Sequence, residues 1–276
     1  MSKYGALLVV LTTVTLSALG PHAASAKIVQ QYWERAKQEE YKSPEELQAQ
    51  NAREIRKGQF YRKLMRGDPN VKAVALTFDD GPHPQFTPKI LAILKKYDVR
   101  ATFFVVGKMA AKYPELVKME AAAGNVVGNH TYNHVNLTRI PVSMVEQEWQ
   151  RGSDIIKRIL GTRPVFCRPP GGDYDKDVIN SAAAHGLTTV LWTDDPGDYA
   201  KPGDKVIAER VLRRIDNGGI VLLHDGVQQT IDVLPQIIES LQKRGFKFVT
   251  VAEMIQGRAE TTRALLPKTA RALRIR

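Results

Sequence analysis

Two histidines and two adjacent aspartates carry the clearest chemical signal in this 276-residue sequence. His130 and His134 are four positions apart, a spacing that places both imidazoles on one face of a helical turn, as two neighbouring ligands of a metal ion require. Asp79 and Asp80 end an apolar segment, and successive side chains of an extended strand point in opposite directions. One carboxylate can therefore bind a metal while the other faces a reacting water. Either pair alone is common at surfaces and turns, but together they predict a hydrolytic metal site.

Seven short apolar segments alternate with stretches of helical periodicity between residues 71 and 256. This alternation is typical of parallel strands joined by crossover helices, and it predicts an α/β fold. The predicted strands cover residues 74–78, 102–106, 125–128, 164–168, 188–192, 220–223 and 246–249. In a parallel barrel, catalytic groups gather at the carboxyl ends of the strands. Polar clusters follow five of the predicted strands here, so we expect these clusters to share one site.

Five ordered motifs resemble those of the polysaccharide deacetylases, the NodB homology domain of carbohydrate esterase family 4. They are Thr77-Phe78-Asp79-Asp80-Gly81-Pro82, His130-Thr131-Tyr132-Asn133-His134, Arg168-Pro169-Pro170-Gly171-Gly172, Asp195-Pro196-Gly197-Asp198-Tyr199 and Leu222-Leu223-His224. The resemblance covers roughly residues 71–256 and implies a distorted (β/α) barrel of about seven parallel strands, not the eight of a complete barrel. It also implies hydrolysis of N-acetyl groups in polymers that contain N-acetylglucosamine.

The resemblance assigns a metal site and a general base. Asp80, His130 and His134 would hold one divalent ion, with zinc expected first and cobalt or nickel as alternatives, because a ligand set of two nitrogens and one oxygen discriminates weakly among these metals. Asp79 would accept the proton of the attacking water. Arg168 would keep Asp79 ionised and oriented, since an adjacent cation favours the charged carboxylate.

The same resemblance assigns a proton donor and a substrate surface. His224 would protonate the leaving amine, and Asp198 would raise the pKa of that histidine. The backbone N–H of Gly171 would bind the developing oxyanion, although the family usually has an aromatic residue at this position. Tyr199 stands where the family usually has tryptophan and can still stack on a sugar. We expect Trp192, at a strand end, to line the groove.

The two ends of the chain differ from its middle. Residues 1–26 have the features of an export signal peptide, with Lys3, an apolar stretch and Ala24-Ser25-Ala26 before a cleavage point; an uncleaved anchor is the alternative. Residues 27–70 form a basic extension whose helix begins at Ser43-Pro44 with a capping box to Glu46. Residues 257–276 form a basic tail. We therefore predict a domain boundary near residue 70 and an exported protein, periplasmic or associated with the cell wall.

Composition limits the partners and the classes of site. With 43% hydrophobic and 25% charged residues, the chain is an ordinary globular protein. A single cysteine, Cys167, excludes an internal disulfide framework and a zinc site built from paired thiolates. Residues 71–256 carry 23 basic and 21 acidic residues, a balance that argues against a nucleic-acid partner. The tail, with six basic residues and one acidic residue, could contact an anionic wall or membrane surface, or simply be solvated.

Three functions remain open from the sequence. The first is an exported, metal-dependent deacetylase of peptidoglycan or chitin-like glycans. The second is a wall carbohydrate-binding protein that no longer turns over, which the complete set of motifs disfavours. The third is a related hydrolase that cleaves C–N bonds of a small molecule such as a cyclic imide, which the export signal disfavours.

Overall fold

The computed structural model describes residues 40–257, which form parallel strands surrounded by helices. The predicted signal peptide, residues 27–39 of the basic extension and residues 258–276 of the tail lie outside the described residues. The strands are β1 Lys63–Leu64, β2 Ala73–Asp79, β3 Thr102–Val105, β4 Val126–Asn129, β5 Phe166–Cys167, β6 Thr188–Val190, β7 Gly219–His224 and β8 Lys247–Phe248. The α-helices are α1 Pro44–Arg56, α2 Thr87–Lys96, α3 Gly107–Lys112, α4 Pro114–Ala122, α5 Val142–Leu160, α6 Lys176–Ala184, α7 Asp204–Arg214 and α8 Gln228–Lys243.

All the strand pairings are parallel, in the order β1-β6-β5-β4-β3-β2-β7. Strand β8 pairs only with the start of β2, where Ala73 lies opposite Lys247. An isolated bridge pairs Asp194, just after β6, with Val221 of β7, so the segment that follows β6 lies beside β7. The result is an α/β distorted barrel of parallel strands, as the sequence predicted; its path of seven strands contains β1, and β8 pairs beside this path with β2.

Strand β2 shows why these segments form a barrel core. All seven of its residues are buried, as expected for a central parallel strand that is covered on both faces. Leu76 and Phe78 pack with the helices outside the sheet, whereas Ala75 packs with the barrel interior. Because side chains alternate along a strand, Thr77 and Asp79 share the interior face with Ala75. The apolar sequence of β2 therefore ends by placing a carboxylate inside the barrel.

Each of the seven predicted strands corresponds to an observed strand, with shifted ends. The predicted strand over residues 164–168 is reduced to Phe166–Cys167, because Pro164 offers no N–H to a sheet ladder. Strand β1 was not predicted: its two residues, Lys63 and Leu64, lie in the extension and pair with Thr189 and Val190. A segment of two residues is too short to show strand periodicity.

The described part of the extension packs on the barrel. Helix α1 begins with the predicted capping box, in which the Glu46 N–H donates to the Ser43 hydroxyl at 3.2 Å and the Ser43 N–H donates to the Glu46 carboxylate at 2.8 Å. Leu47 is fully buried among barrel residues, whereas Ile55 is half exposed. The Gln50 amide also donates to the Tyr174 carbonyl at 3.0 Å. Among residues 40–257, no helix has both the length and the apolar composition needed to cross a membrane.

Candidate active site

The carboxyl ends of neighbouring strands meet at one edge of the barrel. Asp79, the last residue of β2, is the register partner of His224 in β7 and of Phe104 in β3. The Arg168 N–H, just after β5, donates to the carbonyl of Asn129 at the end of β4, at 3.0 Å. The motif residues that follow these strands are thereby held within reach of one another.

Asp80, His130 and His134 form a cluster suited to a metal ion. One potential ligand atom from each residue lies within 4.8 Å of the other two. The Asp80 Oδ1 atom is 2.9 Å from the His134 Nε2 atom and 3.4 Å from the His130 Nε2 atom. Burial raises the pKa of Asp80, but the two histidines outweigh it and hold that pKa well below its usual range. Asp80 has a φ of 73°, so the chain leaves the strand direction of Asp79 at this residue.

Two features of the cluster fit a cation. The buried Asp80 Oδ1 atom has no hydrogen bond among the described residues, although two imidazole nitrogens lie close to it. The His130 Nδ1 atom is 2.8 Å from the Arg168 carbonyl oxygen, an acceptor, so this nitrogen carries the proton and leaves the Nε2 lone pair for a ligand bond. Asp80, His130 and His134 would therefore hold the ion, and the Arg168 carbonyl would fix the orientation of the His130 ring.

The expected helical turn from His130 to His134 is wrong. The segment is an irregular loop in which Thr131 and His134 have φ values of 64° and 55°. The Glu148 carboxylate of α5 holds this loop by accepting from the backbone N–H groups of Tyr132 at 2.9 Å and Asn133 at 2.7 Å. In a helix these N–H groups would donate to backbone carbonyls. Here the buried Glu148 carboxylate accepts from them instead, and so stabilises the irregular loop. The imidazoles still lie side by side, with centroids 4.9 Å apart.

Asp79 lies beside the cluster and is paired with Arg168. The Arg168 Nη1 atom donates to the Asp79 Oδ1 atom at 2.7 Å and to the Thr77 hydroxyl at 2.8 Å. Arg168 is fully buried, so the pair is not an ordinary surface salt bridge. The guanidinium also lies over the Phe104 ring, 4.3 Å from its centroid. The other oxygen, Oδ2, is 3.6 Å from the His130 Nε2 atom and therefore faces the candidate metal position.

His224 lies across the site in a hydrogen-bonded pair with Asp198. The His224 Nδ1 atom is 2.7 Å from the Asp198 Oδ1 atom, and the His224 N–H donates to Asp198 Oδ2 at 2.8 Å. The Thr230 hydroxyl donates to the same Oδ2 atom at 2.6 Å. Burial lowers the pKa of His224, but the adjacent carboxylate outweighs it and raises that pKa to about 9. At neutral pH this arrangement keeps the imidazole protonated.

The three residues expected to bind substrate occupy different positions. Tyr199 packs at the mouth with its ring in an edge contact to His224, at a centroid distance of 5.2 Å. Gly171 has a φ of 63°, and its carbonyl accepts from the Lys42 N–H at 2.8 Å. Trp192 is 1% exposed and packs beneath Gly172, where a Cβ would overlap its ring. The structure therefore gives Trp192 a packing position, and its contact with a substrate stays a prediction.

Glu148 and Thr230 were not predicted from the sequence. Both are buried polar residues that hold motif residues in place. Glu148 carried a signal, since it falls on the apolar face of α5 defined by Val145, Trp149 and Gly152. An acidic residue on a buried helix face requires a partner. Thr230 carried no comparable signal, because threonine is common on both buried and exposed faces.

Comparisons with known proteins agree with this geometry. Residues 66–190 match the family model described as polysaccharide deacetylase. A peptidoglycan-N-acetylglucosamine deacetylase of Bacillus cereus is 38% identical over 192 residues, covering 68% of this chain and 90% of the relative. A chitooligosaccharide deacetylase of a Bradyrhizobium species is 39% identical over 192 residues, covering 64% of this chain and 88% of the relative.

Solved structures have the same architecture. A peptidoglycan N-acetylglucosamine deacetylase, crystallised with 4-naphthalen-1-yl-N-oxidanyl-benzamide, superposes with a TM-score of 0.69 at 36% identity, covering 72% of this chain and 94% of its own. A protein described as a carbohydrate esterase family 4 pseudoenzyme from Bacillus anthracis superposes with a TM-score of 0.68 at 31% identity, covering 72% and 70%. The chain therefore belongs to the polysaccharide deacetylase family, and with it to the hydrolases that act on carbon–nitrogen bonds other than peptide bonds.

Proposed function

We propose that this protein is an exported, metal-dependent deacetylase that releases acetate from N-acetylglucosamine units of peptidoglycan or chitin-like glycans. One observation carries the proposal. The Asp79–Arg168 pair, the Asp198–His224 pair and the Asp80–His130–His134 cluster lie at one barrel edge. Hydrolysis of an amide needs a base for water, an electrophile for the carbonyl and an acid for the amine, and these three groups match the three requirements.

Asp80, His130 and His134 would hold one divalent ion, with zinc proposed first and cobalt or nickel as alternatives. When bound, such an ion brings the pKa of a coordinated water to about 7 and polarises a carbonyl oxygen. The two imidazoles and the carboxylate leave positions for water and substrate, since hydrolytic metal sites use three protein ligands and keep a further position open.

Asp79 is the proposed general base. Its Oδ2 atom faces the cluster, while its Oδ1 atom is bound by the buried Arg168. The guanidinium fixes the carboxylate and compensates its charge, so Asp79 is oriented to accept the proton of the attacking water. The backbone N–H of Gly171 is proposed to donate to the oxygen that becomes negative as water adds to the carbonyl.

His224 is the proposed general acid. An amine leaves poorly as an anion, so the nitrogen must receive a proton as the tetrahedral intermediate collapses. The Asp198 carboxylate binds the Nδ1 side of the ring at 2.7 Å, which leaves the Nε2–H to donate into the site. Asp198 also accepts from the Thr230 hydroxyl and from two backbone N–H groups, so its carboxylate is fixed before substrate arrives.

The substrate class rests on relatives that differ among themselves. The relatives described above are named for peptidoglycan or for chitooligosaccharide. A β-1,4-linked N-acetylglucosamine unit is the chemistry these glycans share, so we propose that unit as the substrate. A catalytically silent binding protein is the second candidate, because one structural relative is described as a pseudoenzyme.

Acetate release tests the proposal and separates the candidates. Purified protein is incubated with chitooligosaccharides, with peptidoglycan and with a cyclic imide, before and after chelation, beside Asp79→Asn. We expect wild type to release acetate from a glycan. This release should stop on chelation, return when Zn²⁺ is added and be absent in Asp79→Asn. Glycan binding without acetate identifies the binding protein, and imide hydrolysis alone identifies the small-molecule enzyme.

Export and surface contact are further parts of the proposal. Residues 1–26 are proposed to be removed on export, so the mature chain begins at Lys27. Mass spectrometry of the mature protein from fractionated cells tests this, and a retained residue 1 contradicts it. The basic residues of 257–276 are proposed to bind an anionic surface. Co-sedimentation with cell-wall sacculi should then fall in a variant truncated after residue 256 and in high salt.

A further inference from the structure

The start of the described chain crosses the mouth of the candidate site. Residues 40–42, here called the strap, contact the loops that follow three strands. The Glu40 carboxylate pairs with Arg139 at 2.7 Å, and the Lys42 N–H donates to the Gly171 carbonyl at 2.8 Å. The Lys42 ammonium lies 3.8 Å from the Asp173 carboxylate. The strap is thus held on both sides of its middle residue, Tyr41.

Tyr41 brings a second aromatic ring to the site. Its ring stacks on Tyr199 with a centroid distance of 3.9 Å and an interplanar angle of 12°. It also meets His224 edge-on, at 5.5 Å and 86°. Tyr199 contacts the same imidazole at 5.2 Å and 79°. Two parallel rings therefore flank the proposed proton donor, and one of them comes from outside the predicted catalytic domain.

Gly171 is the residue that allows the strap to lie there. A Cβ on Gly171 would overlap the Glu40 carbonyl oxygen, and its φ of 63° is one that other residues rarely adopt. The glycine and the strap are therefore fitted to each other. A side chain at position 171 would therefore displace the Glu40 backbone, and with it the strap that carries Tyr41.

The strap covers one side of the site and leaves the metal side accessible. The Asp80 side chain is 33% exposed and the His134 side chain 16%, whereas the His224 side chain, beside Tyr41, is 3% exposed. A ligand can therefore approach the cluster from the Asp80 side. In this geometry Tyr41 borders the approach and does not fill it.

We propose that Tyr41 is a substrate-binding residue, which forms with Tyr199 the aromatic wall against which a sugar ring of the glycan packs. This inference rests on the proposed function for the nature of the ligand. Aromatic rings supply large apolar area with a polar end, which suits a sugar that presents both C–H and hydroxyl groups. The strap holds the wall through Glu40 and Lys42, so we treat these two as positioning residues.

Binding measured by calorimetry, independently of turnover, tests the wall. Tetra-N-acetylchitotetraose and a peptidoglycan tetrasaccharide are titrated into metal-loaded protein that is wild type at position 41, Tyr41→Ala or Tyr41→Phe; all three carry Asp79→Asn, so that the ligand is not hydrolysed. We expect Tyr41→Ala to bind the better of the two ligands about tenfold more weakly, and Tyr41→Phe to bind within about twofold of wild type. Phe60→Ala is the matched control, since Phe60 is an aromatic residue of the same extension that is 79% exposed.

A second variant removes the wall without changing Tyr41. Gly171→Ala should displace the strap and weaken binding at least as much, since it also shifts the backbone N–H proposed to bind the substrate oxygen. Adding Tyr41→Ala to it should have little further effect, because the aromatic contact is already lost. Gly161→Ala is its control: Gly161 also has a positive φ, 80°, but a Cβ there meets nothing within 4 Å. Thermal unfolding of each variant confirms that it is folded.

The outcomes are separable from those of the proposed function. Unchanged binding by Tyr41→Ala overturns the inference. Tighter binding also overturns it, because the strap would then obstruct the ligand. Failure of wild type to bind either oligosaccharide also overturns it. Wild type that binds but releases no acetate defeats the proposed deacetylase while the Tyr41 result still decides the wall. Weakened binding in Tyr41→Ala and Gly171→Ala, with both controls unchanged, supports it.

Discussion

Asp79 and His224 are direct register partners on β2 and β7, and both side chains belong to the interior face of the barrel. Cross-strand partners in a sheet lie about 5 Å apart at their backbones. The proposed base and the proposed acid are thus set by neighbouring strands, and each is bound by its own charged partner, Arg168 or Asp198. Each group is thus oriented by a partner of opposite charge although the two lie close together.

Metal removal should abolish activity, and the loss should map to the cluster. We expect His134→Ala to lose most of the one bound ion, measured by elemental analysis after gel filtration, together with acetate release. Loss of one of three ligand residues removes a third of the protein's bonds to the ion. His185→Ala is the control, because His185 lies at the end of α6 with its ring bound to the Ser181 carbonyl. Equal metal content in both variants would contradict the assignment of the site.

Asp79→Asn should lower the turnover number by about 10²- to 10⁴-fold, the usual contribution of general acid–base catalysis. The amide keeps the shape of the side chain but cannot accept a proton from water. Metal content should stay near that of wild type, since Asp80 and the two histidines are unchanged. Steady-state acetate release measures the effect, with Asp204→Asn, an exposed aspartate of α7, as the control. A variant that retains more than a tenth of wild-type turnover would exclude Asp79 as the base.

Asp198→Asn should move the alkaline limb of the pH–rate profile to lower pH. Burial lowers the pKa of His224, and the Asp198 carboxylate outweighs it and raises that pKa to about 9. A general acid must be protonated, so activity falls as pH rises through its pKa. Without the carboxylate the pKa falls and the loss begins earlier. The metal-loaded profile of kcat between pH 6 and 10 checks the direction; an unshifted limb argues against His224 as the acid.

Glu148→Gln should weaken metal binding by about tenfold through the loop that carries the two histidines. The carboxylate accepts from three donors: the Tyr132 N–H, the Asn133 N–H and the Asn133 side-chain amide. A glutamine side chain would turn its own NH₂ group towards at least one of them. Competition with a chromophoric zinc chelator measures the dissociation constant. Glu146→Gln, at an exposed position of the same helix, should bind like wild type.

Leu47→Ala should destabilise the catalytic barrel by about 2–5 kcal/mol, the cost of removing a fully buried leucine side chain. Leu47 belongs to α1 of the extension but packs in the barrel cluster. Urea unfolding followed by circular dichroism measures the free energy of unfolding. Ile55→Ala on the same helix, where Ile55 is 51% exposed, should change it by less than about 0.5 kcal/mol. Equal effects would show that the extension folds apart from the barrel.

The sequence by itself determined the α/β class, and it predicted which strand each motif follows. Apolar segments alternate with helical periodicity, and each motif follows a strand within a few residues, so local patterns sufficed to predict seven parallel strands with polar groups at one edge. Residue types and spacing near strand ends indicated a metal site, and the resemblance to the polysaccharide deacetylases supplied the charged partners Arg168 and Asp198. The capping box of α1 was also predicted, since it depends on residues three positions apart.

The tertiary structure decided what depends on contacts between distant positions. The His130–His134 segment is an irregular loop because Glu148, fourteen positions after His134, accepts from its N–H groups. Strand β1 exists because β6 offers it a paired edge. Gly171 and Tyr41 are 130 positions apart. Only the packing shows that Gly171, which has no side chain, leaves room for the Glu40 backbone next to Tyr41. Such contacts leave no periodic trace in sequence, since they are set by the relative placement of whole elements.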